Sequence, residues 1–153
     1  MGRSVIRAMT GGAIVLVWAA TAAMQDRFPD GEGKAEMLKV CGECHEPDNV
    51  FAFPKMAPEW TLTLADMKQR GTEATPQEWQ AIELYLDKYF ALIPINTSPA
   101  DELVRTMDVT PAVADAIVTY RKESRPFKSV DDLKKVSGLD AAKVDARKDR
   151  LLF

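Results

Sequence analysis

The chain has 153 residues, of which 46% are hydrophobic and 28% charged, and its formal net charge is −3. Without the N-terminal leader described below, about 130 residues remain, which is enough for one domain or two small ones. Residues 26–94 carry 13 acidic and seven basic side chains (−6), whereas residues 95–153 carry ten and 11 (+1). Because the chain has only two cysteines and one histidine, it cannot form a structural zinc site from four such ligands.

Residues 1–23 predict a secretory signal peptide. Arg3 and Arg7 give a positive start, residues 11–20 (GGAIVLVWAA) form an apolar core, and residues 20–22 (ATA) are typical of a cleavage site. The apolar run is shorter than the roughly 20 residues of a membrane span. We therefore expect a cleaved leader, a periplasmic protein and no stable membrane span afterwards. An uncleaved N-terminal anchor is the alternative.

Both cysteines and the histidine fall in one five-residue segment, Cys41–His45 (CGECH), which is the attachment motif of a c-type haem. Residues three apart lie on one face of a helix. Cys41 and Cys44 can therefore each form a thioether with a haem vinyl group, while His45 donates a ring nitrogen to the iron. A disulfide, or a thioredoxin-like redox pair, has the same spacing, but no strand pattern precedes Cys41. The sequence predicts one covalent haem c.

Residues 24–94 predict a small helical domain around this motif. Patterns indicate a helix over 33–40, a loop over 47–58, a helix over 59–70 and a last helix from Thr75. A domain of this size makes a poor core unaided, so we expect the haem to supply much of the buried apolar surface. The aromatic residues expected to pack around it are Phe51, Phe53, Trp60, Trp79 and Tyr85.

The second axial ligand of the iron can be narrowed by elimination. The one histidine is already used, and methionine is the usual alternative. Met37 lies on the helix that leads into the cysteines, so Met56, in the Pro-rich loop, and Met67, near the end of the middle helix, are the better candidates. We also expect a backbone carbonyl between residues 53 and 58 to accept the ring N–H of His45.

This segment resembles the small mono-haem, class-I-like cytochrome c domains. The resemblance rests on CGECH, on Trp60, on the Met-x-x-x-Gly pattern of residues 67–71 and on Tyr85-Leu86. It favours Met67 as the distal ligand; Met56, or a core methionine with the iron otherwise open, are the alternatives. Ligation by His45 and Met67 implies a fairly high reduction potential and no open position. We therefore expect outer-sphere electron transfer rather than an enzyme.

Residues 95–153 predict a second domain of four to five short helices, which makes the fold all-α. Residues 96–99 (NTSP) are expected to be a linker that becomes a helix start. Four polar residues precede apolar segments and are expected to cap the helices. These are Ser98, Thr110, Ser129 and Asp140.

The second domain resembles the tandem helix-hairpin-helix domain of the DNA receptors of natural competence. The matching segments are residues 95–97 (INT), 116–121 (AIVTYR), 126–133 (PFKSVDDL) and 136–139 (VSGL). The resemblance implies hairpins of the form Gly-hydrophobic-Gly, whose backbone N–H groups approach a DNA phosphate closely.

The chain departs from that hairpin pattern. Its first hairpin is Asp108-Val109-Thr110 and its second is Gly138-Leu139-Asp140. An aspartate repels a phosphate, and a domain charge of +1 gives little of the counterion release that drives DNA binding. We therefore expect a docking domain for a protein partner.

Together these features predict a periplasmic c-type cytochrome that carries single electrons. Its acidic first domain would dock on a basic patch of a redox partner protein, and the second domain would supply specificity. The alternative is an exported, competence-type DNA-binding protein that carries a haem. A haem enzyme or gas sensor remains open if no methionine binds the iron.

Overall fold

The computed structural model describes residues 27–153, and the predicted signal peptide lies outside them. Residues 31–153 form one compact unit. Within the described part of the chain, no helix is both long and apolar enough to cross a bilayer.

Four helices form the first part of this unit. They are α1 (Lys34–Gly42), α2 (Asn49–Ala52), α3 (Ala57–Gln69) and α4 (Pro76–Tyr89). The predicted helices over 33–40 and 59–70 and from Thr75 are confirmed, whereas the predicted loop over 47–58 contains the short helix α2. The buried side chains that join α1, α3 and α4 include Met37, Val40, Trp60, Leu64, Ile82 and Leu86.

The N-terminus of α4 is fixed by its own side chains and by α1. The Thr75 hydroxyl accepts a hydrogen bond from the Glu78 backbone N–H (3.2 Å), and the Glu78 carboxylate accepts one from the Thr75 N–H (2.8 Å). Lys39 of α1 also donates to Glu78, at 2.8 Å. This reciprocal capping sets where α4 begins and ties it to the helix that carries Cys41.

The second part is also mostly helical. It consists of β1 (Ile93–Pro94), α5 (Ala100–Met107), α6 (Pro111–Glu123), α7 (Val130–Leu133), α8 (Ala141–Asp145), a 3₁₀ turn (Lys148–Arg150) and β2 (Leu151–Leu152). The all-α expectation is wrong in one detail, because β1 and β2 pair in parallel with Ile93 opposite Leu151. Two-residue strands leave no alternation that a sequence pattern could reveal.

Three of the four predicted caps are confirmed. The side chains of Thr110, Ser129 and Asp140 accept backbone N–H groups at the starts of α6, α7 and α8. The prediction for Ser98 is wrong: Pro99 occupies the cap position, and the buried Ser98 hydroxyl donates to the Glu102 carboxylate at 2.6 Å. Extended backbone at Pro99 delays the helix by one residue, so Ser98 lies outside the capping position.

The segment expected to be a linker is an integral part of the second core. The Asn96 side chain donates to the Phe127 carbonyl (2.9 Å) and accepts from the Phe127 N–H (2.8 Å). Arg121 donates to the carbonyls of Ile95 (2.6 Å) and Ser98 (2.7 Å). Residues 95–98 are therefore bonded to the domain that they precede.

The end of α4 is bonded to the second part of the unit at several points. Arg105 of α5 pairs with the buried Asp87 at 2.8 Å. The Arg150 guanidinium donates to the carbonyls of Lys88 and Ala91, each at 2.8 Å. These bonds satisfy carbonyls that a helix end leaves without intrahelical partners, and they make the two parts one unit.

Candidate functional site

Cys41, His45 and Met67 lie in the walls of two cavities at once. One cavity has a volume of about 180 Å³ and the other about 270 Å³. Their combined volume lies in the lower part of the range of roughly 300–1,000 Å³ that is typical of cofactor sites. Apolar side chains complete the first cavity, namely Pro47, Val50, Phe53, Leu64 and Leu86.

Both cysteines are free thiols that line the larger cavity. Cys41 is buried at the end of α1, and its burial raises the pKa of its thiol to about 11. Cys44 is exposed just beyond the helix. The three-residue spacing thus directs both sulfurs to one cavity, and the alternative disulfide is not formed.

His45 is exposed, and one of its ring nitrogens is engaged by its own segment. Nδ1 lies 3.0 Å from the Glu46 carbonyl oxygen and 3.3 Å from Asn49 Nδ2. The expected carbonyl acceptor between residues 53 and 58 is therefore wrong, because the turn into α2 brings the adjacent Glu46 carbonyl to the ring. When Nδ1–H is donated to Glu46, the Nε2 lone pair is available to a metal.

The structure separates the methionine candidates. Met67 of α3 is partly buried and lines both cavities with His45. Met56 is 36% exposed and precedes α3, where its backbone N–H donates to Glu59 at 2.7 Å; it is absent from the walls of both cavities. Met37 is fully buried in the core. Of the three, Met67 alone shares a cavity wall with His45.

Trp60 carries a buried donor that sequence reasoning missed. Its side chain is 4% exposed and lines the smaller cavity, and its Nε1–H has no hydrogen-bond acceptor among residues 27–153. Lys55 lines the same cavity, with Nζ 5.7 Å from the indole centroid. A buried N–H without a partner costs about 1–3 kcal/mol, so a ligand with an acceptor group is favoured there. The sequence indicated Trp60 as a packing residue and as part of the cytochrome c resemblance, but not as a hydrogen-bond donor.

These residues fit a covalently attached haem. The cavity walls supply two thiols, a histidine, a thioether, apolar contacts and a donor for a haem carboxylate. The described residues hold no cluster of three or more His, Cys, Asp or Glu side chains. Haem iron takes only one or two axial ligands from the protein.

The first hairpin of the second domain holds an aspartate in left-handed backbone conformation. Asp108 has φ of 53°, and its carboxylate lies near Lys88 (3.3 Å), Lys143 (3.3 Å) and Arg147 (3.8 Å). Although partial burial opposes it, the two lysines hold the pKa of Asp108 below its usual range. The negative charge expected to repel a phosphate is thus already balanced by three cations.

The second hairpin is more open. Gly138 has φ of 79° and is exposed, with the Val113 side chain as the nearest neighbour of a substituted Cβ, at 3.5 Å. The Asp140 carboxylate accepts the Ala142 N–H at 2.8 Å. This bond occupies one of the N–H groups at the start of α8.

Comparison with known proteins gives matches to the second domain. The helix-hairpin-helix motif family matches residues 89–152. ComE operon protein 1 of Bacillus subtilis is 43% identical over 49 residues, which are 32% of this chain and 24% of that protein. Endonuclease/exonuclease/phosphatase family domain-containing protein 1 is 40% identical over 53 residues in Bos taurus and 47% over 51 in Homo sapiens. These segments are 35% and 33% of this chain and 9% of either protein. No solved structure matches the chain.

This chain thus spans about a quarter or less of the length of these relatives. The predicted helix-hairpin-helix domain is confirmed, and this part of the chain is similar to ComE operon protein 1. No match supports the cytochrome-like first domain, which stays a prediction. Residues 89–152 are a helix-hairpin-helix domain in a mostly helical chain.

Proposed function

We propose that the first part of the chain holds a covalent c-type haem and that the protein is an exported carrier of single electrons. The observation that carries the proposal is that His45 and Met67 share both cavities with Cys41. A motif of five residues predicts attachment, but only the fold can bring a residue 22 positions after His45 into the same cavity wall.

The chain's own residues have separate roles in this proposal. Cys41 and Cys44 would hold the haem through thioethers, His45 Nε2 and the Met67 sulfur would be the ligands of its iron, and Trp60 would donate to a haem carboxylate. A bound haem would supply one-electron chemistry at its iron. With His45 and Met67 both bound to it, the iron would have no position left for a substrate. Outer-sphere electron transfer is the function that suits this arrangement.

The charge of the first part indicates how it meets a redox partner. Residues 26–94 carry a formal charge of −6, so a partner with a basic patch would associate quickly and with salt-sensitive affinity. We expect the rate of electron exchange with such a partner to fall as ionic strength rises. A rate that does not depend on added salt would contradict the docking model, but it would not contradict haem attachment.

Haem attachment is tested by expression in a host that matures c-type cytochromes. We expect a coloured exported protein whose mass exceeds that of the mature polypeptide by one haem and whose haem survives denaturation. The C41A/C44A variant should lose this covalent haem, whereas the matched variant Met56→Ala should retain it. A colourless wild-type protein at the mass of the polypeptide would refute the proposal.

DNA binding by the second domain is a second candidate function, and the similarity to ComE operon protein 1 favours it. It is compatible with a haem in the first part of the chain. The test is a gel shift with double-stranded DNA at physiological salt. A shift at micromolar protein would support DNA binding, and the absence of a shift would eliminate it for the wild-type protein.

A further inference from the structure

Three basic side chains from different elements converge on one carboxylate in the first hairpin. Lys88 comes from α4, Lys143 from α8 and Arg147 from the turn that follows α8, and all three lie within 3.8 Å of the Asp108 carboxylate. Lys143 also donates to the Asp108 backbone carbonyl. Three cations against one carboxylate leave a local surplus of two positive charges.

This cluster is both fixed and accessible. The Arg147 side chain is 9% exposed, and it donates to the carbonyls of Thr106 (3.0 Å) and Lys143 (3.2 Å). The side chains of Lys88, Lys143 and Asp108 are 38%, 40% and 42% exposed. A buried guanidinium held by backbone carbonyls beside two partly exposed ammonium groups is a preorganised setting for an oxyanion.

We propose that Lys88, Lys143 and Arg147 form a binding site for a phosphate group and that the Asp108 carboxylate occupies this site in the wild-type protein. A carboxylate and a phosphate present similar oxygen acceptors to ammonium and guanidinium groups. Asp108 therefore acts as an internal competitor whose removal would expose all three cations. This proposal does not depend on haem attachment.

The backbone of the hairpin allows the competitor to be removed without disturbing the turn. Asp108 has φ of 53°, a conformation that glycine adopts freely and that asparagine tolerates better than most residues. The variants D108N and D108G should therefore keep the hairpin, and D108G should relieve its backbone strain. Asp131, which is exposed on α7, provides D131N as a control with the same change in net charge.

The experiment measures the affinity of the full mature protein for a short double-stranded DNA by fluorescence anisotropy. We expect D108N and D108G to bind about tenfold more tightly than the wild type, with a steeper salt dependence, because freed cations displace counterions from the phosphates. D131N should change the affinity much less. Adding K143Q to D108N should remove most of the gain.

A measurement with inorganic phosphate shows whether the site takes a free phosphate group or the phosphates of a nucleic-acid backbone. If phosphate alone raises the melting temperature of D108N more than that of D131N while DNA affinity is unchanged, the site takes a free phosphate group. If DNA affinity rises as well, it takes the nucleic-acid backbone. The proposal is overturned if D108N and D108G match D131N with both probes, or if the gain persists in the variant that also lacks Lys143.

Discussion

The Met67 sulfur is the single atom on which the proposed second ligand of the haem iron depends. Met67 lines both cavities with His45, whereas Met56 lies outside their walls. In the haem-loaded protein we expect Met67→Ala to abolish the absorption band specific to methionine-bound ferric haem, since the soft sulfur ligand is lost. Met56→Ala should retain the band. The opposite pattern would assign the ligand to Met56.

The indole N–H of Trp60 leads to a second prediction at this scale. Without a haem, this buried donor has no acceptor among the described residues, so Trp60→Phe removes an unsatisfied group and loses little stability. With a haem carboxylate as acceptor, the same substitution should destabilise the protein by about 1–3 kcal/mol. Urea unfolding of the haem-loaded protein and of the haem-free C41A/C44A variant measures both values. Equal losses in the two forms would exclude Trp60 as a donor to the haem.

The sequence predicts those parts of the site that are local in the chain. The thiols and His45 lie within five residues, so helix geometry alone brings the two sulfurs together. The hydrogen bond between His45 and the Glu46 carbonyl depends on the turn into α2. Whether the Trp60 N–H finds an acceptor depends on which residues pack around α3. Lys88 and Lys143 converge on Asp108, although they lie 20 positions before it and 35 positions after it in the chain. No spacing rule for a helix or a strand reaches that far.

At the scale of elements, the start of α4 leads to a pH prediction. The hydrogen bond from Lys39, followed by those from Thr75, lowers the pKa of Glu78 from 4.5 to about 2. A lowered pKa means that Glu78 stabilises the fold above its ordinary pKa and that this contribution disappears as the pH falls toward 2. We expect Glu78→Gln to lower the melting temperature at pH 7 and to have little effect near pH 2.

Thermal unfolding at a series of pH values tests this prediction, with Glu73→Gln as the control. Glu73 is exposed and outside the capping pair, so its substitution should leave the melting temperature nearly unchanged across the series. A melting-temperature difference between Glu78→Gln and wild type that is constant with pH would contradict the role of the Glu78 charge.

The sequence predicts where helices start, but it does not predict which strands pair. Caps act over three residues, and the starts of α4, α6, α7 and α8 were all predicted from single polar residues and their neighbours. The pair β1–β2 joins residues 58 positions apart, Ile93 with Leu151, and depends on the whole second domain closing on itself. Ser98 misled the prediction because Pro99 occupies the cap position and the Ser98 hydroxyl donates instead to Glu102, four residues further on.

At the scale of the molecule, the helix-hairpin-helix domain and the candidate haem site share structural elements. The Leu92 N–H donates to the Lys55 carbonyl at 2.8 Å, and Lys55 lines the smaller cavity. The next residue, Ile93, pairs with Leu151 near the C-terminus. A wall of the cavity is thus bonded to the strand that closes the second domain, so the two parts should unfold together.

Arg150 provides the test of this coupling. Its guanidinium is largely removed from solvent, which lowers its pKa to about 10, and it donates to the carbonyls of Lys88 and Ala91 at the end of α4. Arg150→Ala leaves these carbonyls without the donor and should destabilise the protein by about 2–3 kcal/mol. Arg125→Ala removes a guanidinium that is 56% exposed and should cost less than about 1 kcal/mol.

Two optical signals of the haem-free C41A/C44A protein show whether the Arg150 substitution destabilises only the second part of the unit or both parts together. Trp60 and Trp79 both lie in the first part of the unit, so tryptophan fluorescence reports that part, whereas far-ultraviolet circular dichroism reports all helices. Since Arg150 follows α8 yet bonds to α4, its substitution should lower both transition temperatures equally. If the dichroism transition moved and the fluorescence transition did not, the helix-hairpin-helix domain would be unfolding independently of the part that carries Cys41 and His45.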